Sequence, residues 1–257
     1  MLKSWVVNIV FVLLILTAIL WDVFGEVSVW MYAVVLLSFG VIHALGSTIL
    51  SMEFFVPVKF RGDQSGNSVA ITFDDGPIPG KTEKILDILK SRQLTAAFFC
   101  IGNRVSTHPE LTGRIHSEGH LIGNHSYWHG KTFDLQLPEK ISQELSETDE
   151  AIRKNLRLKP RFFRPPYGVT NPMVAAAIRQ GHYITIGWSL RSFDTMISDP
   201  SKLMNRVKRA LKPGDIILFH DYCDSTIAIL PALLDHIAGI GLKIVRVDEL
   251  LNEKAYE

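Results

Sequence analysis

The sequence predicts an α/β domain built of repeated strand-then-helix units, behind an N-terminal transmembrane hairpin. Three observations carry that expectation. From residue 68 onward, short apolar runs alternate with stretches of helical period, a pattern that implies a mostly parallel sheet or barrel. The first 50 residues hold only Lys3, Asp22 and Glu26 among charged types. Chemically able side chains fall just after the strand-like runs, at the strand ends where such folds collect their chemistry.

The totals agree with this picture. The chain has 257 residues, 21% of them charged, yet its mean hydropathy is +0.17, so one segment must be strongly apolar. Net charge is +1, which implies no bulk attraction to nucleic acid. Cys100 and Cys223 are the two cysteines. They are too few for a disulfide framework, and Cys100 closes an apolar run that suits a buried thiol.

Residues 1–50 form the expected hairpin, with helices at about 4–21 and 27–50. The first run has 18 residues, about 27 Å at the helical rise, close to the hydrocarbon thickness of a bilayer. Trp5, Trp21 and Trp30 lie near the ends, as interfacial aromatics do. A cleaved signal peptide is the competing assignment, but Trp21-Asp22-Val23-Phe24 is a poor cleavage site and a second apolar run follows. His43, near small residues in the second run, reads as a helix–helix hydrogen-bond partner. Lys3, Lys59 and Arg61 flank the spans, and the turn between them has no basic residue. The positive-inside rule then places the rest of the chain in the cytoplasm. Residues 51–67 are expected as a connector and 68–257 as the catalytic domain.

Within that domain, strand-like runs lie at 69–73, 95–101, 120–123, 183–187, 215–219 and 242–246. Helical stretches lie at 81–91, 104–118, 138–155, 171–180, 200–211 and 226–240. Pro138 and Pro200 suit first helical turns, and Gly119, Gly181 and Gly241 suit stops. Asp74 and Asp75 follow the first strand and are forced into a turn by Gly76-Pro77. Two carboxylates that close repel each other, so a positive partner is expected, and a divalent metal supplies one. His125 and His129 follow the third run. Four residues apart, they would share one face if the segment were helical. Two imidazoles and one carboxylate leave coordination positions open, as a catalytic metal site does. Arg164, Asp194 and His220 also follow strand-like runs.

These residues carry a resemblance. Thr72-Phe73-Asp74-Asp75-Gly76-Pro77, His125-Ser126-Tyr127-Trp128-His129, Arg164-Pro165-Pro166-Tyr167-Gly168 and Leu218-Phe219-His220 stand in order along the chain. Residues 68–250 thereby resemble the NodB-type polysaccharide deacetylases, carbohydrate esterase family four. The resemblance implies a distorted (β/α) barrel of about seven strands and hydrolysis of N-acetyl groups on amino sugars. It implies Asp75, His125 and His129 as ligands of one divalent metal: zinc by the donor set, with cobalt, manganese or nickel also fitting. Such a metal would lower the pKa of a water and polarise the amide carbonyl. Asp74 would be the general base, partnered by Arg164, and His220 the general acid, held by Asp194. The Tyr167 N–H would bind the oxyanion, and Leu218 would line the acetyl pocket. The fourth motif departs: Arg191 and Thr195 stand where many members carry an aspartate and a tryptophan. The expected partners are an N-acetylated glycan (peptidoglycan-like or other), or alternatively a lipid-linked amino sugar, together with membrane lipid. A catalytically silent carbohydrate-binding protein is the reading from another class, and the intact set of acids and histidines argues against it.

Overall fold

The computed structural model describes residues 2–257. Two apolar helices come first, α1 (Ser4–Phe24) and α2 (Val29–Thr48). Both run a little differently from the expected bounds, but both are long and apolar enough to cross a membrane. Their large side chains, Leu13 and Leu37 among them, face outward with no protein over them. Across the pair, His43 Nε2 meets Asn8 Oδ1 at 3.0 Å, and Phe11 packs on Phe39. That polar pair lets two polar groups on otherwise apolar helices satisfy each other.

The sheet is parallel throughout. Its strands are β1 (Ser68–Asp74), β2 (Ala97–Cys100), β3 (Leu121–Asn124), β4 (Phe162–Phe163), β5 (Ile184–Thr185), β6 (Leu190–Arg191), β7 (Ile216–His220) and β8 (Lys243–Ile244). The order is β5-β4-β3-β2-β1-β7-β6, with β8 added at the start of β1. The two edge strands, β5 and β6, are joined by only residues 186–189. Five residue steps reach at most about 17 Å, whereas seven strands laid flat would set their edges about 29 Å apart. The sheet therefore curls into a distorted barrel of seven strands, as the resemblance implies.

Alternation along β1 sorts the layers. Val69, Ile71 and Phe73 pack outward with Ile85, Leu86 and Leu89 of α3 (Thr82–Ser91), while Ala70 points inward with Ala97, Phe99 and Leu121. The expected helix at 104–118 is two helices, α4 (Gly102–Thr107) and α5 (Pro109–Ser117). Pro109 lacks the N–H that would continue the first, and it pushes His108 out of the helical region. The helices α6 (Pro138–Leu156), α7 (Pro172–Gln180), α8 (Pro200–Ala210) and α9 (Asp224–Gly239) follow near their expected places, and α10 (Val247–Leu251) was not expected.

Residues 51–67, expected as a connector, are largely built into the domain. Leu50, Val56 and Val58 share a core with Phe163, Val174 and Ile178. Lys59 bridges to Ile186, and the Gly62 N–H donates to Gly214. Phe54 sits so close to α2 that a Cβ on Gly46 would overlap its ring. The hairpin is thus docked on the domain directly.

Candidate active site

All the singled-out groups lie at the carboxyl end of the barrel. Asp74 is the last residue of β1, and its pairing puts it beside His220, the last residue of β7. Asp75 turns the chain with a φ of 77°, its carbonyl held by the Arg104 guanidinium at 2.5 Å. His125 leaves β3 with its N–H on the Cys100 carbonyl.

The segment from His125 to His129 is a loop, not a helix. Ser126 and His129 both have left-handed φ, 61° and 52°. The turn is held by Asn124 accepting from the Ser126 N–H and by Ser126 Oγ accepting from the His129 N–H. The buried Glu144 carboxylate accepts from the Trp128 N–H. A spacing of four brings the imidazoles together here through the turn, with ring centroids 4.8 Å apart.

Asp75 Oδ1 lies 3.5 Å from His125 Nε2 and 3.4 Å from His129 Nε2. Ligand atoms of the three residues all fall within 4.8 Å of one another. Donors around one tetrahedral zinc, at bonds of about 2.1 Å, stand about 3.4 Å apart. Asp75 Oδ1 is buried and has no hydrogen-bond partner, which a cation would supply. His125 Nδ1 is 2.7 Å from the Arg164 carbonyl. That bond makes Nδ1 the donor and leaves Nε2 free as a ligand. Burial and the neighbouring His125 push His129 down to about 4, so it is neutral, with a free lone pair, at neutral pH. The donor set fits a divalent metal.

Asp74 stands beside this trio. Its Oδ2 is 3.8 Å from His125 Nε2, and its Oδ1 accepts from Arg164 at 2.6 Å. Arg164 is fully buried inside the barrel. It also donates to Thr72 Oγ1 and to the carbonyls of Ile186 and Gly187, and it stacks on Phe99 at 4.0 Å. At the end of the neighbouring strand β7, His220 Nδ1 meets Asp194 Oδ1 at 2.8 Å. Asp194 Oδ2 accepts from the His220 N–H and from Thr226. Burial works against the His220 charge, but the Asp194 hydrogen bond and the surrounding carboxylates outweigh it and hold the imidazole above its ordinary value.

A cleft of about 480 Å³ joins these groups and is also lined by Tyr167, Leu218, Trp128, Trp188 and Tyr222. Tyr167 takes a left-handed φ of 59°. The turn bonds of its loop are donated by Gly168 and Val169. Arg191 and Thr195, the departures in the fourth motif, both line the cleft wall, Arg191 lying over Phe193 and Trp188. Asp221, which directly follows His220, is buried. It accepts from Thr82 and lies against Gly76, where a Cβ would overlap it. Burial pushes it up to about 7. Arg104 and Glu144 are not marked as site residues by the sequence, because each acts through one or two contacts that no spacing announces. Both cysteines are free and buried.

Residues 61–185 match the family model described as Polysaccharide deacetylase. The chain is 35% identical over 191 residues to a peptidoglycan-N-acetylglucosamine deacetylase of Bacillus cereus, covering 72% of this chain and 89% of that one. The chain belongs to the polysaccharide deacetylase family. It is also 33% identical to the peptidoglycan-N-acetylglucosamine deacetylase PgdA of Listeria monocytogenes, over 74% of this chain but only 40% of that protein. Among solved structures of the family, the Bc1960 peptidoglycan N-acetylglucosamine deacetylase superposes with a TM-score of 0.72 at 28% identity, covering 78% of this chain and 95% of that one. BA3943 of Bacillus anthracis, a CE4 family pseudoenzyme, also reaches 0.72 at 28% identity, over 77% and 70% of the two chains. The family fold therefore does not by itself guarantee turnover.

The Asp194–His220 pair gives a pH test. A general acid must be protonated, so activity falls as pH rises through its pKa. If His220 is the general acid that the sequence resemblance implies, its raised value sets the alkaline limb of kcat/KM above the ordinary imidazole value of about 6.5. Asp194→Asn removes the main upward influence, and the limb then moves to lower pH. A limb at the same pH in both proteins would detach His220 from the proton step.

Proposed function

We propose that this chain is a membrane-anchored, metal-dependent hydrolase that removes N-acetyl groups from amino sugars of a glycan. One observation carries the proposal: three side-chain atoms able to ligate a metal converge beside a second carboxylate, with the Asp194-bonded His220 imidazole lining the same cleft. Asp75, His125 and His129 would hold the cation. When bound, it supplies a Lewis acid that activates water and polarises the amide carbonyl. Asp74 takes the proton from the attacking water, its charge balanced by Arg164. The Tyr167 N–H donates to the carbonyl oxygen as negative charge builds there. His220, through Nε2, gives its proton to the departing amine as the C–N bond breaks, leaving acetate and a free amino sugar. Leu218 packs against the acetyl methyl. A pocket of that kind separates acyl groups by only about 1–3 kcal/mol per methylene, so a formyl group would also enter. The names of the relatives support an N-acetylglucosamine-containing glycan as substrate.

The test is acetate release from an N-acetylglucosamine oligomer by the full chain with added zinc. Turnover is expected, and a chelator should abolish it reversibly with loss of one ion per chain. A protein that binds the oligomer yet releases no acetate would be a silent family member instead.

We further infer that α1 and α2 both span the bilayer with the domain on the cytoplasmic side, following Lys3, Lys59 and Arg61. Protease added to sealed inside-out vesicles should digest the domain. Protection there would reverse the orientation.

A further inference from the structure

We propose that an apolar rim of Leu135, Leu137 and Met173 seats the domain in the lipid headgroup layer, and that the cleft takes an N-acylated amino sugar carried on a membrane lipid. This rests on the deacetylase reading for the substrate and on α1 and α2 as membrane spans.

Length fixes the level of the domain. Helices of 21 and 20 residues are about 31 and 30 Å long, and the hydrocarbon layer is about 30 Å thick. Both helices are needed end to end, so their domain-side ends lie at the hydrocarbon boundary. At that boundary the domain is already attached. The Ser4 N–H donates to Phe54, and the Ser47 carbonyl in the last turn of α2 accepts from the Thr170 N–H at 2.9 Å. Leu50, two residues past α2, is buried in the domain core. No slack chain separates membrane from domain. Thr170 therefore lies in the headgroup layer, about 5–8 Å deep on each side. Tyr167 of the cleft is three residues away, at most about 10 Å.

Next to Thr170 in the fold, the surface carries exposed apolar side chains. Leu135 is 76% exposed, Leu137 70% and Met173 39%. Hydrogen bonds tie this rim to both the membrane helix and the cleft. The Asn171 amide, next to Thr170, donates to the Asp134 carbonyl. Gln136, between the two leucines, donates to Glu144, which also accepts from the N–H of the cleft residue Trp128. Nearby charges cancel, Lys131 and Lys140 against Asp134 and Glu139. Apolar burial at the interface, with little electrostatic attraction, then holds the rim. A sugar joined to a lipid phosphate lies at this same depth. A polymer held well away from the bilayer does not, and a docked domain cannot swing out to meet it.

The experiment uses the full chain in phosphatidylcholine vesicles. Spin labels are placed at Leu135→Cys, at Leu137→Cys and, at the opposite end of the barrel, at Lys243→Cys. The first two should be relaxed more by oxygen than by a water-soluble nickel chelate, and the third should show the reverse. Labels at 135 and 137 as aqueous as the one at 243 would overturn the seating. In the second arm, N-acetylglucosamine on a polyprenyl diphosphate in the same vesicles is compared with soluble chitotetraose. The double variant Leu135→Asp/Leu137→Asp should cut turnover of the lipid-carried probe about tenfold and leave the soluble one unchanged. Equal loss on both, or a wild-type preference for the soluble probe, overturns the lipid-carried substrate. A wild-type chain idle on both removes the deacetylase reading with it, while the label depths still decide the seating on their own.

Discussion

Asp74→Asn is expected to lower acetate release by about 10²–10⁴-fold, the range for loss of a positioned acid or base, while one metal ion per chain is retained. The substitution keeps the shape of the side chain and an oxygen for Arg164, whose guanidinium is 2.6 Å from Asp74 Oδ1. It removes the capacity to accept a proton from water. The metal should stay because the proposed ligand atoms cluster around Asp75 Oδ1, not around Asp74. Metal content by mass spectrometry and acetate release on the same preparation separate the two effects. A variant that turns over normally would end the assignment of Asp74 as base. A variant that loses both metal and activity would make it a ligand.

The second large effect is on stability. Arg164→Met should cost about 3–5 kcal/mol, the range for breaking a buried ion pair from one side. Arg164 is fully buried and satisfies Asp74, Thr72 and two carbonyls at once. Its removal strands the Asp74 carboxylate and three further acceptors in the barrel interior. At about 2–4 °C per kcal/mol for a domain of this size, Tm should fall by about 6–20 °C. Arg164→Lys should recover only part, because one ammonium cannot reach four acceptors set around a planar fork. Thermal unfolding followed by circular dichroism measures this, and a Tm within about 2 °C of the parent for the methionine variant would contradict it.

What could be read from the sequence was set by element length and by how local the chemistry is. β1 and β7 announce themselves because strands of seven and five residues, each buried at all but one position, leave a continuous apolar run ending in acids or histidine. β4 and β6 are two residues each, too short for any period to show, and their pairing is fixed only by the closing of the barrel. A spacing of four at His125 and His129 is equally the period of a helix and the reach of this turn. Only the left-handed Ser126 and His129 distinguish them. Pro109 could have divided the 104–118 stretch beforehand. The convergence of Asp75, His125 and His129 beside Asp74 was legible because these residues sit at or just after strand ends within short motifs. Arg104 and Glu144 were not, since each reaches the site through a single tertiary hydrogen bond or two.

Residues 50–62 act as a stave of the barrel: Lys59 lies along the edge at Ile186, and Val58 and Leu50 cover Gly187. A soluble fragment trimmed to start at Ser68, where the motif-bearing part begins, would therefore lack a wall. Gly187, whose carbonyl anchors Arg164, would face solvent. Trimming for crystallisation or assay would have to stop before Leu50, leaving Phe54, which packs against α2, as the surface needing a polar replacement.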